Sequence, residues 1–390
     1  MLGAGVAGCA LAYHLALRGI APITVYDPRT PAAGASGRAA GVVTEQLWNR
    51  FDVEVTRESH REYAELCRRW EPAAFVENGF VRVTRDPATA EILAEAVERW
   101  RAWGVNVDPV GAERLARRIP AGRFDDIVGA VLSPYDACVT PSSITTIYAE
   151  AARSRGAAFD FGQPMSSLSR DGTGFVLARG AGELRARRVV VAAGAWSKAL
   201  LAGLGHPLPL VPYRTQAALL KPPGSDAGEF PTIHDLDTDV YVRPETSGRI
   251  LAGDGTERVE ADPDRYVAGG DAAFLAHLAD GLSSRLPGFA ASDVVRAWAG
   301  VCTATPDRRP LVGAVPGADG LFVMAGFNGF GVMRAGGVAR RLADHLVEGS
   351  PGGEAPEALA AVWPARFSLP HPPFPPRPGF TLEAGDDPRV

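Results

Sequence analysis

Glycine at positions 3, 5 and 8, in Gly3-Ala4-Gly5-Val6-Ala7-Gly8, constrains this 390-residue chain more than any other feature. A GxGxxG run that opens a helix makes a tight turn. It also lets backbone N–H groups approach a pyrophosphate at the helix N-terminus. The run alone is weak, because glycine and alanine often start helices. Asp27 strengthens it: it lies nineteen residues after Gly8, at the end of the strand-like ITVYD. An acidic side chain there accepts hydrogen bonds from a ribose diol, so the N-terminal unit reads as a dinucleotide site.

Such a unit normally begins with a strand of about 5–6 residues, yet only Met1 and Leu2 precede Gly3. The expectation is that the central parallel strand is missing, or that the true start lies upstream. Beyond this point strand and helix signals alternate, which favours an α/β architecture. Helices are expected at 6–18, 53–70, 88–103, 141–155, 271–286 and 331–347, with strands at 23–27, 75–84, 188–193 and 321–325. From 213 to 255 alternating strands with turns point to a second, mainly antiparallel sheet. The proline-rich residues 368–390 are expected to form an extended tail.

Composition excludes several classes. Hydrophobic residues at 46% and charged residues at 22% describe a globular chain rather than a disordered one. A net charge of −5 argues against general nucleic-acid binding, which requires a basic face. Cys9, Cys67, Cys138 and Cys302 lack the spacing of a disulfide framework or a zinc site, so a reducing, cytoplasmic setting is the default. The longest apolar stretch, residues 1–17, is too short to span a bilayer, and no integral membrane segment is expected.

Two later loops favour FAD over NAD. Gly34-Ala35-Ser36-Gly37-Arg38-Ala39-Ala40-Gly41-Val42-Val43 is a small-residue loop that a flat ligand can approach closely. Gly326-Phe327-Asn328-Gly329-Phe330-Gly331-Val332 opens a late helix, whose N-terminus would stabilise negative charge on a reduced flavin. With AAGAWS at 192–197, VYVRPETSGRILAG at 240–253 and TPDRRPLVG at 305–313, these motifs run in order through most of the chain. In them the sequence resembles the D-amino-acid oxidase, glycine oxidase and sarcosine oxidase family of FAD-dependent oxidoreductases.

The resemblance implies a Rossmann-like FAD domain assembled from 1–44, 141–209 and 298–367. A substrate domain from 45–140 and 210–297 would be built on a mainly antiparallel sheet. Gly3, Gly5, Gly8 and Asp27 would bind the ADP half of a non-covalent FAD. Arg29, Ser36, Arg38, Ala40, Gly41 and Val42 would line the ribose, pyrophosphate and flavin, with Pro164 on the adenine side. Ala193, Gly194 and Trp196 would close the nucleotide pocket. Gly326, Asn328, Gly329, Phe330, Gly331, Val332 and Met333 would reach the ribityl chain and pyrimidine ring.

Enzymes of this kind oxidise a carbon–nitrogen bond by hydride transfer to flavin N5, with no metal or triad. The chain shows no HExxH or GxSxG, and its seven histidines are scattered and read as structural or exposed. Tyr241 matches the family's substrate-facing tyrosine, and of Tyr241 and Arg243 only one is expected to see substrate. Departures surround it. The arginine that grips a carboxylate in glycine and D-amino-acid oxidases is Cys302 here, and the sarcosine oxidase arginine is matched by Thr44. Asn328 completes the candidate catalytic set. Arg214 and Arg334 are further candidates to hold a carboxylate.

The lysine that activates oxygen in sarcosine oxidase appears as Ile250 or Leu251, which tilts the reading toward a dehydrogenase. The position of that enzyme's flavin-bearing cysteine is Gly300. The expected substrate is a small amino acid, N-alkyl amino acid or amine, with O2 or another acceptor taking the electrons. The alternatives are a CH–OH dehydrogenase of hydroxy acids or polyols, and a non-catalytic, assembly or partner-dependent flavoprotein subunit.

Overall fold

A computed structural model describes residues 1–172, 174–224, 227–254, 260–348 and 355–367. The proline-rich tail expected at 368–390 lies outside the described residues. Two sheets organise the chain, and both follow from its sequence pattern.

The first is the parallel sheet expected of a nucleotide-binding fold. Ala158–Phe161 pairs in parallel with Thr24–Asp27, and Val189–Val191 pairs in parallel with Leu321–Ala325. Leu311–Ala314 runs antiparallel at the far edge. The central place expected to lack a strand is held by Met1–Gly3. Leu2 forms parallel bridges to Tyr26 on one side and Val191 on the other. Four backbone hydrogen bonds secure it. Leu2 N–H donates to Val190 and Gly3 N–H to Tyr26, while Tyr26 N–H donates to Met1 and Ala192 N–H to Leu2, all at 2.8–2.9 Å. Apolar residues bury both faces, as parallel sheets require.

On one face lie the helices Val6–Leu17, Pro141–Arg153 and Gly331–Glu348, whose buried sides form the largest core. The Arg50–Trp70 helix joins them, with Val53, Val55, Tyr63 and Leu66 in that core. The sequence-based division assigns this helix to the substrate domain. It packs chiefly against the Gly331–Glu348 helix. On the other face, the hairpin strands Met165–Asp171, Gly174–Arg179 and Gly182–Ala186 cover Leu2, Val189 and Val191 through Phe175 and Leu177.

The second sheet has eight strands. From one edge they are Asp293–Ala304, Val211–Lys221, Ile250–Asp254, Val240–Pro244, Thr232–Asp235, Phe80–Thr84, Gly129–Ser133 and Asp108–Pro109. All neighbours are antiparallel except Thr232–Asp235 with Phe80–Thr84. The strand Asp293–Ala304 runs without a break through the domain boundary expected at 298. Val81, Val83, Val240, Val242, Ile250 and Ala252 fill the core on one face, beneath the helix Ala272–Arg285. The residues between them face the other way, towards the nucleotide-binding half. Among the described residues, no helix is long and apolar enough to cross a membrane.

Candidate functional site

Between the two sheets lies a cavity of about 1120 Å3, lined from the Gly3 turn to the open face of the eight-stranded sheet. Ligand pockets of about 300–1,000 Å3 are usual, so this one has room for a dinucleotide with a small second molecule.

The dinucleotide end is built by the N-terminal turn. Gly3, Gly5, Asp27 and Arg29 line the cavity, while Gly8 does not. A Cβ on Gly8 would fall 2.0 Å from the Gly3 carbonyl oxygen, so this glycine allows helix and strand to touch. Gly5 gives the Val6–Leu17 helix no side-chain cap; Val6 N–H is taken by Ser36 Oγ, and a ligand would meet the N–H groups that follow it. Asp27 accepts hydrogen bonds from Ala4 N–H and Arg29 N–H, one on each carboxylate oxygen, at 2.9 Å. Each oxygen keeps acceptor capacity for a ribose hydroxyl.

Ser36, Arg38, Ala40, Gly41 and Val42 line the cavity from the second loop. Ser36 Oγ accepts from Val6 N–H at 3.0 Å and so ties that loop to the first helix. Arg38 folds back on the Ala33 and Gly34 carbonyls, and its own carbonyl accepts from Trp298 Nε1 at 2.9 Å. Ala193, Gly194 and Trp196 also line the cavity. The Trp196 ring sits 4.8 Å from the Arg29 guanidinium, and its Nε1 donates to Asp264. Pro164 does not reach the cavity; its neighbour Met165 does.

Gly326, Asn328, Gly329, Phe330, Gly331, Val332 and Met333 line the cavity where the last helix begins. Asn328 adopts φ 58° and its side chain is committed locally. Nδ2 donates to Thr305 Oγ1 and the Gly326 carbonyl, and Oδ1 accepts from Thr305 N–H. These bonds tie the side chain of Asn328, a candidate catalytic residue, to Thr305 and to its own loop.

At the other end, one transverse row of the eight-stranded sheet faces the cavity. Strand register puts Arg82 beside His234, His234 beside Tyr241, and Tyr241 beside Gly253. Register partners share a face. The Tyr241 phenol folds across its neighbour: a Cβ on Gly253 would meet the hydroxyl at 2.1 Å. Burial pushes the Tyr241 hydroxyl above its ordinary range, so it stays a hydrogen-bond donor at neutral pH. Arg243, two residues on and on the same face, is tied to the Ala40 carbonyl at 2.6 Å and to Glu245, and does not line the cavity.

Thr44 and Cys302 line this end too. The Thr44 hydroxyl donates to buried Asp136 at 2.5 Å. Burial pushes the Asp136 carboxyl up to about 8.

Two residues here escaped sequence reasoning. His234, read with the other histidines as structural, lines the cavity with its Nε2 2.8 Å from Asp239 Oδ1. Arg82, 4% exposed, lines it as well. The available signal was a lone cation between two valines in the strand FVRVT. The carboxylate-holding candidates named from sequence are engaged elsewhere. Arg214 binds Asp271 and the Val267 and Gly269 carbonyls at the sheet edge. Arg334 is fully buried, 2.8 Å from Asp52 and 5.0 Å from the Phe330 ring.

Residues 2–345 match the FAD dependent oxidoreductase (DAO) family model, and the chain belongs to that family. FAD is the family's cofactor, normally held without a covalent bond. The cavity fits it: the start of the first helix, an acidic strand end and a second loop anchored at Ser36 converge on one long space.

Among curated proteins, mitochondrial dimethylglycine dehydrogenase of Rattus norvegicus is 27% identical over 385 residues, covering 90% of this chain and 43% of that protein. The chain thus spans less than half the length of that relative. The crystal structure of glycine oxidase from Geobacillus kaustophilus is 25% identical, with TM-score 0.81 over 94% of this chain and 98% of that one. L-proline dehydrogenase from P. horikoshii shares the fold, with TM-score 0.83 at 22% identity over 89% of this chain and 92% of that one.

Proposed function

We propose that the protein oxidises a CH–NH bond of a small amino acid, N-alkyl amino acid or related amine. One observation carries this reading. A single cavity joins the dinucleotide end to a polar row of Arg82, His234 and Tyr241 on a rigid sheet. Bound FAD supplies the hydride acceptor. The chain's own residues then have to hold the substrate, exclude water and leave the amine unprotonated.

Gly3, Gly5, Asp27, Ser36, Gly194 and the 326–333 loop are assigned to the cofactor. Tyr241 is assigned to the substrate as a neutral donor on the sheet face. Asp239 holds His234 through Nε2, which leaves Nδ1 to take a proton from the substrate's ammonium. Thr44 and Cys302 border the same space, and Asn328 acts through the loop it holds.

Ile250 and Leu251 are buried, at 0% and 4% exposure, and no lysine lines the cavity among the described residues. The absence of an ammonium there favours transfer of electrons to an acceptor other than O2.

The test is the visible spectrum of the purified protein, then anaerobic mixing with sarcosine, glycine, D-proline, D-alanine, glycerol phosphate and 2-hydroxy acids. Bleaching of the flavin by one of the amines is expected. Bleaching by the hydroxy compounds alone would move the protein to CH–OH chemistry. An aerobic run with and without an artificial electron acceptor checks the second point; full turnover on O2 alone would refute it.

A further inference from the structure

We infer that residues 260–269 form a strap that keeps FAD in its cavity, latched by the hydrogen bond from Trp196 to Asp264. The strap acts on the bound cofactor whatever substrate the enzyme oxidises.

The path of the strap carries the argument. Glu260 bridges Tyr213 on the side of the Val211–Lys221 strand away from its partner Asp293–Ala304. Ala261 N–H donates to the Pro212 carbonyl beside it at 3.0 Å. Gly269 then bridges Trp298 on the outer edge of Asp293–Ala304, where Ala299 N–H donates to the Ala268 carbonyl at 2.8 Å. Between these two points the chain has to cross both strands. It crosses on the cavity side, because Pro263, Asp264 and Tyr266 line the cavity.

Both ends are anchored to the sheet. Arg214 holds the far end through the Val267 and Gly269 carbonyls, and Gln216 pairs with Asp271 just beyond it. The crossing covers roughly three strand spacings sideways and about four residues along the strands, about 20 Å in all. About nine residue steps can extend to about 30 Å. The strap therefore has slack, and its middle can lift while its ends stay paired.

The middle meets the opposite wall at Trp196. Trp196 Nε1 donates to Asp264 Oδ1 at 2.8 Å, and Lys198 Nζ lies 2.7 Å from Glu260 Oε1. The Trp196 ring sits 4.8 Å from the Arg29 guanidinium, and a Cβ on Gly34 would come 3.8 Å from that ring. Trp196 thus joins three segments at the dinucleotide end: the turn after Asp27, the second loop and the strap. A closed strap walls in a dinucleotide lying there, and a lifted one opens a way out.

The experiment loads the protein with FAD and follows its exchange for excess deaza-FAD by visible absorbance. Asp264→Ala and Trp196→Phe should each speed exchange by about 3- to 10-fold, the scale of one hydrogen bond. The double variant should be no faster than the faster single one, since both remove the same bond. Asp264→Asn keeps an acceptor and should exchange within about 2-fold of wild type. Without cofactor, Asp264→Ala should melt at the wild-type temperature. Exchange at the wild-type rate in Asp264→Ala would overturn the inference. So would effects that multiply in the double variant, or a lowered melting temperature without cofactor, which would give Asp264 a role in the fold alone. If Asp264→Ala fails to take up FAD, trypsin cleavage of the wild type after exposed Arg265 decides. Slower cleavage with FAD than without is expected, and equal rates would overturn the inference.

Discussion

Tyr241 and Gly253 show how much of the site depends on single residues. The phenol lies over a position where any side chain would collide with it. Replacing Gly253 with alanine should therefore swing Tyr241 out of place without touching substrate or cofactor directly. Gly253→Ala and Tyr241→Phe are both expected to retain FAD and to raise KM for the amine by about 10-fold or more, the scale of one lost hydrogen bond to a charged group. Steady-state kinetics beside the visible spectrum checks this; unchanged KM in both variants would remove Tyr241 from the substrate site. The motif VYVRP, which carries Tyr241, was legible in the sequence, and Tyr241 lines the cavity. That Gly253 makes room for it was not, because the two residues become neighbours only through strand register.

At the scale of the element, the loop 326–331 is tied to residues 303–305 through Asn328, by its backbone N–H to the Thr303 carbonyl and by its side chain to Thr305. The Asn328 side chain makes two hydrogen bonds to Thr305 and one to the Gly326 carbonyl, and the residue sits in the left-handed region that asparagine tolerates. Asn328→Ala should cost roughly 2–4 kcal/mol, since it leaves the buried Thr305 N–H without this acceptor and strains the backbone. It should also weaken FAD retention. Thermal unfolding with and without added FAD measures both. A stability within about 0.5 kcal/mol of wild type would show that the loop is held otherwise.

The elements themselves were largely readable. The helices at Val6–Leu17, Pro87–Ala102 and Pro141–Arg153 fall within a few residues of their expected spans, because periodicity is a local signal. The strand expected over 75–84 instead divides. Phe75–Val76 joins a small sheet with Ala137–Val139, and Phe80–Thr84 joins the eight-stranded one. Alternation alone cannot say which sheet a strand enters.

For the whole molecule, burial of Asp136 couples stability to pH. Its carboxyl titrates near 8 when folded, against about 4 when unfolded. The folded state thus holds a proton that the unfolded state releases, and the associated stability is lost as pH rises from about 4 to 8. Thr44, Glu45 and Arg82 surround the group and act on the same titration. Asp136→Asn keeps the shape without the proton, so wild type should lose melting temperature relative to this variant between pH 5 and 8. Parallel melting curves for the two proteins would refute the assignment.

The sequence by itself determined the dinucleotide half. GAGVAG, Asp27, the 34–43 loop and the 326–332 loop are contiguous motifs whose meaning lies in local backbone geometry. The polar end of the cavity was decided only by tertiary structure. Arg82, His234, Tyr241 and Gly253 come from four strands, and Thr44 meets Asp136 across 92 residues. Which residues stand side by side on a sheet is set by register, and register follows from burying one face of every strand at once. No single segment contains that information, so the arginine in FVRVT joins the cavity wall only when the sheet is assembled.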